Sequence, residues 1–183
     1  MALKLNGDPA FAFPAGVSAR ILGRADIPVF TEHLLALDMQ TRLDRFGGPR
    51  NDSWIREYAA HCIRPGSLVI AASAGGPVPV GVAELHPVAH DCGEIAFSVQ
   101  REWRRQGIGQ ALFALMVEAA WGRGHDRIEI TTNADNEAMR KLAAQFGAKI
   151  SFDRGHGRGS IALGDIRLFD RDGRRHPLAA KKG

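Results

Sequence analysis

Six consecutive residues combine basic side chains with glycines in an arrangement that suits anion binding. They are Arg104, Arg105, Gln106, Gly107, Ile108 and Gly109. Apolar residues recur after them with helical spacing, so a helix is predicted to begin near Gly107. The first N–H groups of a helix have no partners within it and lie at the positive end of its dipole, which favours phosphate oxygens. The glycines keep this backbone accessible, and the two arginines can add charge-assisted hydrogen bonds.

The elements around this loop follow the order strand, loop, helix, strand, helix. The strand-like segment GEIAFSVQ precedes the loop, residues 127–132 form the next predicted strand, and NADNEAMRKLAAQFGA forms the last helix. Upstream, LVIAAS and VPVGVAEL flank a hairpin signal at residues 74–77. Three antiparallel strands followed by this series predict an α+β, mixed α/β fold. We expect one domain with a mostly antiparallel sheet of about six or seven strands and about four helices.

The other segments carry weaker local signals. A first strand is predicted at residues 17–23, followed by a helix that Asp26 caps and that runs to Arg42 or beyond. A break at residues 46–50 precedes a second helix that begins with Asn51, Asp52 or Ser53 as its cap. Residues 86–92 are predicted to form a loop, and strands at residues 149–153 and 160–169 surround a glycine-rich turn.

Length and charge predict the domain organisation. A chain of 183 residues with 45% apolar content suits one domain at residues 17–170, after a lead-in at 1–16. Residues 171–183 form a basic tail whose five basic residues and one acidic residue account for the whole formal charge of +4. The basicity therefore describes a tail and not a surface that reads nucleic acid, so nucleic-acid binding through the tail is only an alternative.

Cysteine content predicts the compartment. Two cysteines, Cys62 and Cys92, without a charged and apolar leader, favour a reducing, cytoplasmic location. The sequence has no apolar run of membrane length, so no membrane association is expected. His86, His90 and Cys92 lie close together, but turn-forming residues among them indicate a plain loop, and no metal site is predicted.

The series of strand, R-x-x-G-x-G, amphipathic helix, strand and asparagine-led helix resembles the acyl-CoA-binding half of the GNAT family of N-acetyltransferases. The resemblance extends from about Ser67 to Phe152. It implies acetyl-CoA as the donor, with its pyrophosphate held by the loop and the helix start, and no metal. The coenzyme A-binding residues that it implies are Phe97, Ser98, Val99, Arg104, Arg105, Gln106, Gly107, Ile108, Gly109, Gln110 and Asn136.

Glu94 is the predicted proton acceptor. To present a lysine-like amine as its free base at pH 7 costs about 4 to 5 kcal/mol, so a base is useful. Strand alternation divides the segment into one face with Glu94, Ala96 and Ser98 and another with Ile95, Phe97 and Val99. The segment resembles the strand of histone acetyltransferases and bacterial protein-lysine acetyltransferases in which a glutamate draws the amine proton. An ordinary strand-end carboxylate is the alternative for Glu94, and Glu84 is the reserve candidate.

The resemblance implies three further roles. Backbone N–H groups around Ser98 and Val99 would stabilise the oxyanion, and Asn136 would bond the pantetheine arm. Many members carry a tyrosine that protonates the leaving thiolate, but the matching position here is Ala143. The usual general acid is therefore missing. A thiol pKa near 8.5 makes the thiolate a tolerable leaving group without it.

Together these patterns predict an acetyl-CoA-dependent N-acetyltransferase that acts on a primary amine. Protein lysine is favoured as the acceptor, because both the Glu94 strand and the Ala143 helix resemble bacterial protein-lysine acetyltransferases. One alternative is an N-acetyltransferase of small amines or amino acids. Another is a non-catalytic acyl-CoA sensor, for which Ala143 is the main support. A homodimer is left open.

Overall fold

A computed structural model describes residues 12–153, 156–165, 167–169 and 175–177. Most of the predicted lead-in and tail therefore lies outside the described residues. The helices are α1 (Ile27–Leu35), α2 (Met39–Phe46), α3 (Asp52–Cys62), α4 (Ile108–Gly122) and α5 (Glu137–Gln145). The strands are β1 (Ser18–Ile21), β2 (Leu68–Ser73), β3 (Gly81–Ala89), β4 (Cys92–Val99), β5 (Arg127–Asn133), β6 (Lys149–Asp153), β7 (His156–Ala162), β8 (Arg167–Phe169) and β9 (Arg175–Pro177). No helix in these ranges is long and apolar enough to cross a bilayer.

Seven strands form one sheet in the order β1-β2-β3-β4-β5-β7-β6. Only β4 and β5 pair in parallel, and the other neighbours are antiparallel. Side chains of α4 pack with α5 on one face, and side chains of α1 and α3 pack on the other. The predicted α+β class and mostly antiparallel sheet are confirmed. β8 and β9 form a separate hairpin, so Arg175–Pro177, within the predicted tail, is paired strand.

The described residues form five α-helices where about four were expected, because the first predicted helix is divided in two. α1 ends before Asp38, whose carboxylate accepts a hydrogen bond from the backbone N–H of Thr41 at 2.8 Å and begins α2. The backbone of Asp38 is extended, which interrupts helical hydrogen bonding at that point. The prediction of one helix running to Arg42 or beyond was therefore wrong.

The predicted capping residues behave differently from one another. Asp26 lies directly before α1, but its carboxylate accepts from the Gly23 backbone and the Arg20 guanidinium instead of capping the helix. Asn51 does cap α3, since its side-chain oxygen accepts from the backbone N–H of Trp54 at 2.9 Å. The predicted start of α3 is confirmed.

β3 extends through most of the segment predicted as a loop at residues 86–92. It continues to Ala89, and only residues 90–91 form the turn to β4. Pro87 is compatible with a strand here because β2 stops pairing with β3 at Leu85, so no neighbour on that side needs its missing N–H. The loop prediction was wrong for this reason. A register shift between Pro87 and Ala89 marks a bulge at the strand end.

Glycines predicted to form a turn lie inside β7 instead. The predicted strand began at Ser160, whereas β7 contains Gly157 and Gly159. A Cβ atom at Gly157 would lie 2.5 Å from the Phe152 ring, and one at Gly159 would lie 3.0 Å from the Ile150 side chain. These glycines therefore leave room for side chains of β6 to lie across β7.

A buried histidine joins α1 to the centre of the sheet. His33 is fully buried, with Nδ1 2.7 Å from the Pro79 carbonyl oxygen and Nε2 2.9 Å from the Ser98 hydroxyl oxygen. Because a carbonyl oxygen only accepts, Nδ1 carries the proton, and Nε2 accepts from the Ser98 hydroxyl. Burial lowers the pKa of His33 to about 4, so the ring is neutral at pH 7.

We expect His33 to make the protein less stable in mild acid. An unfolded histidine takes a proton below about pH 6.5, whereas native His33 resists protonation until about pH 4. The free energy of unfolding should therefore fall by roughly 3 kcal/mol from this residue as pH drops through that window. Urea titrations at pH 7 and pH 4.5 should show a smaller pH effect in His33→Gln than in the wild type. His61→Gln, at an exposed site on α3, should keep the wild-type difference. Equal pH effects in all three proteins would contradict the assignment.

Candidate active site

β4 and β5 separate at the centre of the sheet. Their parallel pairing covers four residues of each strand and ends at Ile95 and Ile130. The backbone N–H of Gln100 donates to Val80 on the β3 side at 2.9 Å. Because backbone groups alternate in direction along a strand, the N–H groups of Phe97 and Val99 point to the opposite side, towards the gap. Neither residue pairs with β5, and both strands lie wholly within the described residues.

Ser98 was predicted as a coenzyme A-binding residue, but its polar groups do not face the gap between β4 and β5. By the same alternation, its backbone faces β3, where it pairs with Val82. Its hydroxyl bonds to His33 on the face opposite α4. The structure therefore brings Phe97 and Val99 to the gap but directs the backbone and hydroxyl of Ser98 elsewhere.

The loop that follows β4 has an unusual backbone. Arg105 has φ 63°, the only positive φ of a residue other than glycine among those described, and Gly107 has φ 89°. α4 begins at the next residue, as predicted, and no side chain caps it. Ile108, Gly109 and Gln110 therefore present N–H groups without helical partners. An uncapped helix start preceded by two left-handed residues fits a phosphate group, because its N–H groups converge on an anion.

The two loop arginines have different surroundings. The Nε atom of Arg104 donates to the Val99 carbonyl at 3.2 Å, and its Nη2 donates to the hydroxyl of Thr41 on α2. Arg104 therefore ties the end of β4 to α2. Arg105 is exposed. Glu137, the first residue of α5, has a lowered pKa, mainly because of Lys141, and the charge of Arg105 contributes to the lowering. Arg105 therefore lies near the start of α5.

The remaining predicted binding residues lie around the same loop. Asn136 caps α5, since its side-chain oxygen accepts from the backbone N–H of Met139 at 3.0 Å, which leaves its amide NH₂ as a donor. Gln106 is exposed and bonds the Glu102 carbonyl, whereas the Ile108 side chain is buried in the core. Gly109 has Val99 and Leu142 side chains near the position of its missing Cβ, and Gln110 is half-buried.

Glu94 lies just before β4 and β5 separate. It pairs in register with Glu129 of β5, and its Oε1 accepts from the hydroxyl of Thr131 at 3.0 Å. The predicted faces are observed, because Ile95, Phe97 and Val99 belong to the core under α4. The Glu94 side chain therefore lies on the opposite face and is half-buried. Its second carboxylate oxygen has no hydrogen-bond partner within the described ranges.

Glu84, the reserve candidate, lies in the middle of β3 and is fully buried. Its Oε1 accepts from Arg45 at 2.6 Å, and its Oε2 accepts from the hydroxyl of Tyr58 at 2.7 Å. His86 Nε2 lies 3.1 Å and Cys62 Sγ 3.5 Å from the same Oε2. These contacts join α2 and α3 to β3 through one carboxylate.

Burial and charge act together on this network. Burial alone would raise the pKa of Glu84, but the Arg45 charge and the His86 hydrogen bond outweigh it, so the pKa is lowered. Burial, reinforced by the Glu84 charge, raises the pKa of Tyr58 and raises that of Cys62 to about 12. Glu84 is consequently an ionised acceptor at neutral pH, paired with the Arg45 cation, and the Tyr58 hydroxyl and the Cys62 thiol beside it are neutral.

Cys62, Glu84 and His86 place one potential ligand atom each within 4.8 Å of one another. Cysteine, histidine and glutamate are all zinc ligands. However, the Arg45 guanidinium lies against the same carboxylate, and a metal cation there would meet a like charge at close range. We therefore describe the cluster as an ion-paired network.

Several residues of this region were not singled out from the sequence. His33, Arg45, Thr41 and Asn133 carry no local motif, and the Asn133 side chain reaches the Leu43 carbonyl at 3.1 Å. The position of His86 next to Glu84 could have been predicted from the sequence. His86 follows Glu84 by two positions on a strand, and this alternation puts both on one face. The predicted loop at residues 86–92 obscured that relation.

Comparisons with known proteins agree with this geometry. The sequence matches the model of the acetyltransferase (GNAT) family over residues 36–148, while no curated protein sequence matches. The GNAT domain of S. lividans PAT has a TM-score of 0.70 at 19% identity and covers 80% of this chain and 90% of its own. A GNAT acetyltransferase from Streptococcus pneumoniae has a TM-score of 0.61 at 15% identity and covers 80% and 99%. The acetyltransferase yncA from Salmonella typhimurium, solved with acetyl-CoA, has a TM-score of 0.61 at 14% identity and covers 85% and 99%.

The family match covers well over half of the chain, including β4, the glycine-containing loop, α4 and β5. The structural likenesses show the same fold. The resemblance inferred from the residues is thereby confirmed, and with it the expectation of acetyl-CoA as the donor. The chain belongs to the GNAT family and is an acetyl-CoA-dependent acyltransferase.

Proposed function

We propose that this acetyltransferase acts on the primary amine of a protein lysine, with Glu94 as the general base. The observation that carries the proposal is the position of the Glu94 carboxylate where β4 and β5 separate. Thr131 holds one of its oxygens, so the other is oriented and available to an amine. A half-buried carboxylate beside the gap suits an amine that enters from one face of the sheet while the donor occupies the gap.

On the donor side, acetyl-CoA supplies an activated thioester when bound. We assign its phosphates to the N–H groups at the start of α4 and to Arg105. The N–H groups of Phe97 and Val99, which face the gap, suit the pantetheine arm and the thioester oxygen. Asn136 keeps an amide donor for the same arm.

The exposure of the acceptor side favours a protein lysine over a small amine. Thr131 is exposed and Glu94 is half-buried, so the base lies close to the surface. A long lysine side chain can reach such a base while its own protein stays outside. The α5 sequence also retains Met139 and Leu142 of the N-x-x-M-x-x-L-A pattern, which resembles bacterial protein-lysine acetyltransferases.

No tyrosine is available to protonate the leaving thiolate. Ala143 is fully buried, and Tyr58, the one tyrosine of the sequence, is committed to Glu84 with a raised pKa. We therefore propose that the thiolate leaves without a side-chain acid and takes its proton from water. A thiol pKa near 8.5 makes this departure tolerable at neutral pH.

Glu94→Gln should lower kcat for a lysine peptide at least tenfold at pH 7, because a general base contributes about 10² to 10⁴. The loss should shrink as pH rises towards 9.5, since a growing fraction of an acceptor ammonium with a pKa near 10.4 is then already deprotonated in solution. The affinity for acetyl-CoA should not change. The measurement is thiol release across pH, with calorimetry for the donor.

Glu129→Gln is the matched control, because Glu129 lies beside Glu94 in register on the next strand. It removes a similar carboxylate from the same face and should change kcat less than about threefold, as expected for a surface charge. Full activity in Glu94→Gln, or a defect that is constant with pH, would exclude Glu94 as the base.

Gly107→Ala should weaken acetyl-CoA binding. Its φ of 89° strains any side chain, and a methyl group there would stand at the proposed phosphate site. Gly124 follows the C-terminal end of α4, with φ 87° and, its chain neighbours apart, no atom of the described residues within 4 Å of the position that a Cβ would take. Gly124→Ala should thus cost similar stability, about 1 kcal/mol, but leave the dissociation constant for acetyl-CoA unchanged. Equal affinities in both variants would place the phosphates elsewhere.

A panel of acceptors tests the class of substrate. Purified protein with acetyl-CoA should release thiol with lysine peptides faster than with polyamines, amino acids or aminoglycosides at equal concentration. Thiol release with a small amine but not with lysine peptides would favour an N-acetyltransferase of small amines or amino acids. Tight acetyl-CoA binding without amine-dependent release from any acceptor would favour a non-catalytic sensor.

A further inference from the structure

His86 lies beside Glu94 and has no role in the chemistry described above. The two residues are directly opposite in the pairing of β3 with β4. Directly opposite residues of antiparallel strands share a face, with Cβ atoms about 4.5 to 5.5 Å apart. His86 therefore stands next to the proposed base on the acceptor face. The two side chains share no hydrogen bond in the described part of the chain, so proton transfer between them requires a change of the Glu94 side-chain conformation or a bridging water.

The hydrogen bond to Glu84 determines which nitrogen of His86 can take a proton. Glu84 is ionised and can only accept, so His86 Nε2 carries a hydrogen and donates to it at 3.1 Å. In the neutral ring, Nδ1 is then a bare acceptor. It is buried and has no hydrogen-bond partner in the described part of the chain. A buried basic nitrogen without a partner calls for an explanation, and a role in proton transfer supplies one.

The Glu84 carboxylate is fixed in place beside the His86 imidazole. Arg45 and Tyr58 bond its two oxygens from α2 and α3, and its side chain is 1% exposed. The His86 side chain is 16% exposed. The pair thus forms a fixed carboxylate and an oriented ring, an arrangement in which the carboxylate stabilises an imidazolium.

We propose that His86 accepts the proton that Glu94 removes from the acceptor amine, which makes His86 the second member of a proton relay. This step rests on the proposed role of Glu94. An N–H bond of the acceptor ammonium breaks, its electron pair stays on nitrogen, and the proton bonds to Glu94. The O–H bond of Glu94 then breaks as an N–H bond forms at His86 Nδ1, directly or through one water. Glu94 returns to a carboxylate, the imidazolium faces Glu84, and the proton passes to solvent after turnover.

The groups that face His86 are consistent with this transfer. β3 and β4 contribute the carboxylates Glu84 and Glu94, while α2 and α3 contribute Arg45, Tyr58 and the Cys62 thiol. The Arg45 and Glu84 charges offset one another, so an added proton near Glu94 meets a net negative environment. Imidazole is also the side chain that exchanges protons between pH 5 and 8, whereas an isolated glutamate does so below that range.

His86→Gln tests the relay with little disturbance of the fold, because the glutamine amide can keep a donor directed at Glu84. We expect kcat for a lysine peptide to fall about tenfold at pH 7, with a flatter dependence on pH from 6 to 8. Acetyl-CoA affinity should stay at the wild-type value. His125→Gln is the matched control: His125 is also buried, and its Nδ1 lacks a partner in the described part of the chain, but its ring lies 3.4 Å from the position that a Cβ of Gly93 would take, on the opposite face.

Chemical rescue separates proton transfer from structural support. In His86→Ala, added imidazoles of graded pKa should restore activity, and the restored rate should increase with the pKa of the rescuing base. A purely structural defect would show no dependence on that pKa. Thermal unfolding of each variant checks that the fold is retained, and His125→Ala should show no rescue.

The outcomes distinguish the relay from the proposed base. A loss in Glu94→Gln together with wild-type rate and pH profile in His86→Gln would overturn the relay and leave Glu94 as the base. Wild-type activity in Glu94→Gln would overturn both proposals. Losses in both variants, with pKa-dependent rescue of His86→Ala, would support the relay.

Discussion

The active-site region depends on the separation of two parallel strands. β4 and β5 share only four paired residues, after which β4 remains bound to β3 alone. A continued ladder would consume the N–H groups of Phe97 and Val99, whereas the separation leaves them directed into a gap. The glycine-containing loop then turns the chain into α4, whose uncapped start is next to that gap. One interruption of pairing therefore creates both the gap and the N–H donors that face it.

A second constraint is the buried charge of Glu84, on the face of the sheet opposite α4. The Glu84 carboxylate is an ionised group in the interior, which is tolerated because Arg45 and Tyr58 satisfy it. Its contacts reach α2 and α3, while Arg104 and Asn133 attach α2 to β4 and β5 at the other end. α2 is thus connected both to the buried charge and to the glycine-containing loop. The proposed acceptor site and the proposed donor site are in this way parts of one hydrogen-bonded structure.

The fold followed from periodic patterns, and its errors have specific causes. The helix after Gly107 and the faces of β4 were predicted correctly because many consecutive residues repeat the same signal. The break before α2 was missed because a single capping residue, Asp38, decides it. The length of β3 was missed because Pro87 normally indicates a turn, and its tolerance here depends on where β2 stops. Neighbouring strands, which no local pattern reveals, settled that case.

The sequence by itself determined the family, the loop with its glycines and the alternation that puts Glu94 opposite the core face, since each depends on residues close together in the chain. Only the tertiary structure decided that β4 and β5 separate after Ile95, and that Arg45, Tyr58 and His86 meet at Glu84. Arg45 and Tyr58 lie 39 and 26 positions from Glu84 in the sequence, and the pairing of β4 with β5 is a property of the whole sheet. A buried carboxylate selects its partners by the space and charge around it, and that environment exists only once the helices have packed on the sheet.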